Sequence, residues 1–177
     1  MAGPDLITLP KGALAEVAER VGTSLEGEHD GTGLRIGIAC AKFNGGITMR
    51  LLTSALDALA EAGTDRRDVT VAWVPGAFEL PLVAQALAQA GQIDAVLCFG
   101  AVIRGDTSHY DFVAGECASG IQQVQLSTGV PVIFGVLTTE NLDQALERSE
   151  PDETNKGREA ALTAIEMVRL LRTSPLA

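Results

Sequence analysis

The residues best suited to chemistry stand in one run, Arg104-Gly105-Asp106-Thr107-Ser108-His109-Tyr110-Asp111. Gly105 lets the backbone approach a ligand closely. Thr107 and Ser108 precede an expected helix, whose unpaired N–H groups and dipole favour an anion such as phosphate. His109, one of only two histidines, then stands beside that anion as a proton shuttle near neutral pH. The same run also reads as a Ser/Thr-capped helix with a surface histidine, and on composition alone this commoner use of the residue types is the favoured one. Other candidates are dispersed. Phe43, followed by Asn44 and two glycines, offers either a ring for stacking on a planar heterocycle or a core ring. Glu79 at a helix start needs no role beyond the dipole. Arg148 and Lys156, at the end and the start of helical segments, are equally ambiguous.

These residues need a scaffold, and the hydrophobic pattern supplies one. Strands are expected over 34–40, 68–74, 95–99 and 130–137. Helices are expected over 48–62, 78–90, 109–127, 141–148 and 156–172. Alternation at this spacing gives right-handed βαβ crossovers and a four-stranded parallel sheet covered on both faces, a three-layer α/β/α sandwich. Ligands of such sheets bind beyond the carboxyl ends of the strands. That rule selects Ala41–Asn44, Pro75–Glu79, Ala101–Asp111 and Thr138–Asn141, where the polar and aromatic residues concentrate. Residues 1–32 read as an N-terminal extension and linker. In it a narrow stripe of Leu14, Val17, Ala18 and Val21 marks a short helix, docked or frayed, and Gly27, Gly31 and Gly33 mark the linker. Residues 33–172 read as the domain and 173–177 as a tail. The helix Leu80–Ala90 is apolar nearly all round, so it is expected to meet a second copy of the chain.

Composition removes several function classes. With 13 Lys and Arg against 23 Asp and Glu, the 177-residue chain carries a formal charge of −10, which disfavours nucleic acid and anionic membranes. No apolar run spans a bilayer, and Met1–Asp5 lack the basic start of a secretory signal. Cys40, Cys98 and Cys117 form no CxxC, and with His29 and His109 they offer no zinc-ligand spacing, so a reduced, cytoplasmic, metal-free chain is expected. Gly31-Thr32-Gly33 precedes its strand, whereas a dinucleotide fingerprint follows one. No phosphate-binding GxxxxGK[ST] run occurs, and nothing around Ser108 makes a nucleophile elbow.

In sequence order, five blocks resemble the 6,7-dimethyl-8-ribityllumazine synthase family: Lys42-Phe43-Asn44, Trp73 to Pro81, Gly100 to Val113, Gly135 to Asn141, and Asn155-Lys156-Gly157. The resemblance implies a flavodoxin-like fold and a cofactor-free transferase. The reaction implied is condensation of 5-amino-6-(D-ribitylamino)uracil with 3,4-dihydroxy-2-butanone 4-phosphate, the penultimate step of riboflavin biosynthesis. It also implies that Phe43, Ala77, Phe78, Glu79, Ala101, Val102 and Ile103 line the pyrimidine site and that Asp106, Thr107 and Arg148 hold the phosphate. His109 matches the acid/base histidine, while Phe134 and Arg148 match residues given by a neighbouring subunit. The partners implied are further copies, as a pentamer or an icosahedral shell of pentamers, and riboflavin synthase. The chain departs from the family pattern in the acidic, proline-bearing stretch 149–154, in Ser108 where proline is frequent, and in its long N-terminal extension. A lumazine- or flavin-storing shell protein is the competing class, and the presence of Thr107, His109 and Arg148 favours the enzyme.

Overall fold

A computed structural model of the chain describes residues 9–173; residues 1–8 and 174–177, parts of the expected extension and tail, lie outside the described residues. Four strands, β1 (Ile36–Ala41), β2 (Val69–Val74), β3 (Ala95–Ile103) and β4 (Val132–Thr139), form one all-parallel sheet in the order β2-β1-β3-β4. Strand side chains alternate between two cores, as the two-residue period requires. Ile36, Ile38 and Cys40 of β1, with Leu97, Phe99 and Ala101 of β3, face α2 (Gly45–Glu61) and α6 (Lys156–Leu171). Ala39, Ala41, Val96 and Cys98 face α3 (Leu80–Gln89) and α4 (His109–Thr128). The expected three-layer sandwich is therefore present, and its central strands are apolar on both faces.

The two layers are filled differently. The α2/α6 side uses Leu51, Leu59, Ile165 and the fully buried Phe99, whose burial alone is worth roughly 2–3 kcal/mol. The α3/α4 side sets Ala84, Ala88 and Cys117 among Leu80, Ile121 and Val124. Small residues there let the helices close in: a Cβ on Gly120 of α4 would lie 2.8 Å from the Pro81 ring of α3. Outward, these helices expose the apolar side chains Leu82 (71%), Phe112 (65%) and Leu126 (75%), which none of the described residues covers.

Most element ends shift by one to three residues, as α2 does in starting at Gly45, and other differences bear on the site and its frame. β3 runs on to Ile103 instead of stopping at Phe99, because β4 continues beside it to the Ile103–Thr139 pair. Ala77–Glu79 form a separate 3-10 turn, and α3 starts only at Leu80, with Pro81 in its first turn where the missing N–H costs nothing. The N-terminal helix, α1 (Ala13–Ala18), buries no residue, so it is not docked, and it ends before Gly22; so short a stripe has too little to pack. Gly27–Gly33 is not a loose linker. Gly27 and Gly31 are buried, and a Cβ on Gly27 would sit 2.0 Å from the Glu166 carbonyl of α6. Arg169 fastens the stretch further, donating to the carbonyls of Asp30 and Thr32 at 2.7 Å each. The remaining short helix, α5 (Leu142–Glu147), follows β4 and is capped by Asn141, whose Oδ1 accepts from Gln144 N. No helix among the described residues is long and apolar enough to cross a membrane.

Candidate active site

Three strand ends meet where the order reverses between β1 and β3, and the first candidates sit there. Phe43 leaves β1 with its N–H donating to the Pro75 carbonyl at 3.0 Å, while the Lys42 N–H donates to Val74. Asn44 then takes a left-handed conformation (φ 55°), tolerated by asparagine, and its Nδ2 donates to the Ala101 carbonyl at 2.8 Å. This turn ties the end of β1 to the end of β3 and leaves the Phe43 ring 68% exposed. The ring lies over Gly76, where a Cβ would be 2.7 Å from Cδ2. A core ring is thus excluded, and an exposed phenylalanine pinned by its backbone is suited to stacking.

Glu79 does more than meet a dipole. Its carboxylate folds back to accept from the Gly76 N–H at 3.0 Å, closing the 3-10 turn that presents Phe78, 57% exposed, beside Phe43's strand end. Ala77 is buried under this turn. Ala101 is buried and Val102 and Ile103 are half-buried at the end of β3, so these three form an apolar wall of strand, where a loop was expected.

Asp106, Thr107, Ser108 and His109 are all exposed in the loop from β3 into α4. His109 is the first residue of that 20-residue helix. Ser108, at the capping position, makes no side-chain capping bond, and Thr107 Oγ1 accepts only a long 3.4 Å bond from His109 N. The ordinary capped-helix alternative is therefore weakly realised, and the first turn of α4 keeps N–H groups available to an anion. Arg104, at the loop's root, donates to Glu140 (2.8 Å) and Asp111 (3.0 Å) and lies 4.0 Å from the centre of the Tyr110 ring. The hydrogen bond to Asp111, with that to Glu140, raises its pKa against the opposing cost of desolvation. Sequence reasoning missed this cluster, although an arginine seven residues before an aspartate across a helix start was visible.

Phe134 and Arg148 are not beside these groups. Phe134 lies opposite Cys98, three residues before Ala101, about 10 Å back along the strand, on the exposed edge strand β4. With Arg148, Lys156, Glu159 and Thr163 it lines a groove of about 360 Å³ along that edge. Arg148 donates to the Gln144 carbonyl at 3.1 Å and stands 3.7 Å from Glu147; Lys156 pairs with Glu159. The acidic stretch 149–154 is well tied, since buried Asn155 donates to the Glu150 carbonyl (2.7 Å) and buried Ser149 to Ala145 (2.9 Å). A second groove, about 610 Å³, lies between α2 and residues 151–153 and shares no residue with either group.

All three thiols are buried and free. Burial pushes Cys40 up to about 11 and Cys117 up to about 12, and raises Cys98 as well, so none serves as a thiolate nucleophile near neutral pH. Among the described residues no cluster of three or more His, Cys, Asp or Glu is placed to hold a metal ion. The arrangement at the strand ends suits a planar ring between aromatic and aliphatic walls, an anion at a helix start and a histidine at their junction. A family profile described as 6,7-dimethyl-8-ribityllumazine synthase matches residues 33–172, most of the chain and every residue of both groups. The chain belongs to the lumazine synthase family of riboflavin-biosynthesis enzymes.

Proposed function

We propose that the chain condenses 5-amino-6-(D-ribitylamino)uracil with 3,4-dihydroxy-2-butanone 4-phosphate to give 6,7-dimethyl-8-ribityllumazine, phosphate and water, at a site shared by two copies. One observation carries this reading: the family's site residues fall into two groups that a single chain keeps apart. Phe43, Phe78 and His109 stand at the strand ends, and Phe134 and Arg148 on the β4 edge. A neighbour that brings its β4 edge against the strand ends completes the set. The apolar surface of Leu82, Phe112 and Leu126 gives such a neighbour something to bury, and a pentamer is the assembly that fits the family.

In the completed site the pyrimidine stacks on Phe43 against the wall of Ala77, Phe78, Glu79 and Ala101–Ile103. The second substrate's phosphate lies at the first turn of α4, near Asp106 and Thr107, and the neighbour's Arg148 neutralises it. The pyrimidine's amine adds to the ketone, water leaves and an imine forms. Phosphate elimination and ring closure follow, with loss of a second water. No step needs a nucleophile from the protein, which agrees with three inert thiols and no activated serine. Most of the acceleration comes from holding two substrates together, and His109 contributes proton transfer.

The test is to mix the protein with both substrates and follow the fluorescent lumazine. Product is expected at a rate well above the uncatalysed reaction, and sedimentation is expected to give five copies. No acceleration would overturn the assignment, and a monomer of full activity would overturn the shared site.

A further inference from the structure

Arg104 carries the inference that goes furthest beyond this reading. Its backbone N–H donates to the Thr139 carbonyl at 2.9 Å, adding one rung after the last residue of β3. Its guanidinium then reaches two carboxylates on different elements, Glu140 just past β4 and Asp111 in the first turn of α4. The plane of the same group covers Tyr110, the residue after His109. Between these anchors Gly105–Ser108 have little else to hold them: among the described residues the one other side-chain bond of the loop is the long one at Thr107. Glu140 is itself fixed, because its N–H donates to Gln144 Oε1 at 2.9 Å in the capped α5. Each ion pair is half-exposed, and such pairs add little stability. What one arginine joining three elements provides is geometry, since its planar fork bonds in fixed directions.

We propose that Arg104 is a positioning residue, which acts through His109 by locking the loop and first turn of α4 to the end of β4, and which does not itself hold substrate. Its Nε and Nη1 donors are directed at Glu140 and Asp111, so the orientation of the guanidinium is set by these carboxylates and by the Tyr110 ring. This rests on the proposed function for its kinetic consequence but not for its structural one.

The decisive measurement is a cycle of Arg104→Ala, His109→Ala and the double variant. Arg104→Ala is expected to lower kcat about ten-fold, leaving KM for both substrates within about two-fold. In the His109→Ala background the same change is expected to cost less than about two-fold, because the group being positioned is gone. Equal losses in both backgrounds, or a selective rise in KM for the phosphorylated substrate, would overturn the proposal. Arg104→Lys should recover only part of the rate, as one point charge cannot span both carboxylates. Should Arg104→Ala not fold, Glu140→Ala and Asp111→Ala each remove one arm and are read the same way. NMR of isotope-labelled histidine gives a readout independent of activity. With two histidines in the chain, the His109 signal, assigned by His29→Gln, should shift in Arg104→Ala while that of His29 stays put. An unmoved His109 signal would overturn the clamp even if the wild-type protein made no lumazine, and absence of lumazine alone would overturn only the function.

Discussion

At the strand ends, Phe43, Phe78 and the His109 loop are held by backbone: Phe43 through Pro75, Asn44 through Ala101, Glu79 through Gly76, Arg104 through Thr139. Along the β4 edge, Phe134, Arg148 and Lys156 come from β4, the end of α5 and the start of α6, and their long side chains line an open groove. The first group is built for orienting a flat, rigid molecule, because a ring tilted by a misplaced strand end would lose its stacking. The second is built for charge, since a cation on a long stem reaches a phosphate over a range of positions. In the proposed site, with one such half from each of two chains, the orienting part would stay fixed while the charged part came from outside.

The comparison breaks most visibly in a mixing experiment. A chain with both Phe43→Ala and His109→Ala, and a chain with Arg148→Glu, are each expected to lose about a thousand-fold in rate. Co-refolded in equal amounts, they should recover roughly a quarter of wild-type activity, the share of random neighbours that pair two intact halves. No recovery would mean that both halves serve one chain. Taken singly, Arg148→Ala is expected to raise KM for the phosphorylated substrate by about 30- to 100-fold, the cost of a lost charge-assisted pair, with little change for the pyrimidine. His109→Ala should lower kcat by about 10- to 100-fold without abolishing turnover. Both are read from initial rates over the two substrate concentrations.

The smallest effect is a control outside both halves. Asp94, at the opposite end of the sheet, is half-buried between Arg35 and Arg172. Burial pushes its carboxyl up, but the backbone N–H and guanidinium of Arg35, aided by Arg172, hold it below the usual range. A depressed folded pKa stabilises the protein above the unfolded carboxylate value near 4, and that contribution is lost as pH falls through the folded value. Asp94→Asn is therefore expected to cost about 1–2 kcal/mol at neutral pH and less in acid, with unchanged initial rates. Denaturant midpoints at two pH values check it.

Much of this was legible in the sequence, for identifiable reasons. The strands stood out because Ile36–Ala41 and Ala95–Phe99 are buried on both faces, which leaves continuous apolar runs. The end of β3 was misread because Gly100 and Ala101 look neutral, and what extends the strand is its neighbour β4, invisible in local composition. Gly27 looked like a flexible joint, yet it is a glycine because the Glu166 carbonyl occupies the space of a side chain. Phe43 read equally as a core ring until the left-handed turn at Asn44 was seen, and Arg104's role needed the three-dimensional meeting of two carboxylates from separate elements.

The close contact of Gly120 with Pro81 bears on how the chain tolerates drift. At the alanine, cysteine and glycine positions of this layer there is little volume left to delete, so substitutions that shrink those residues are mild. Those that enlarge one have nowhere to go, and they push α3 and α4 apart. The buried leucines and isoleucines, Leu51, Leu59 and Ile165 on the α2/α6 side and Leu80 and Ile121 on this one, instead leave a cavity when trimmed. The outer surfaces of α3 and α4 carry Leu82, Phe112 and Leu126, so an enlarging change inside that layer would be felt outside it, as altered spacing of the exposed apolar residues. On this side of the sheet, the identity of an interior residue and the shape of the exterior are one inherited trait.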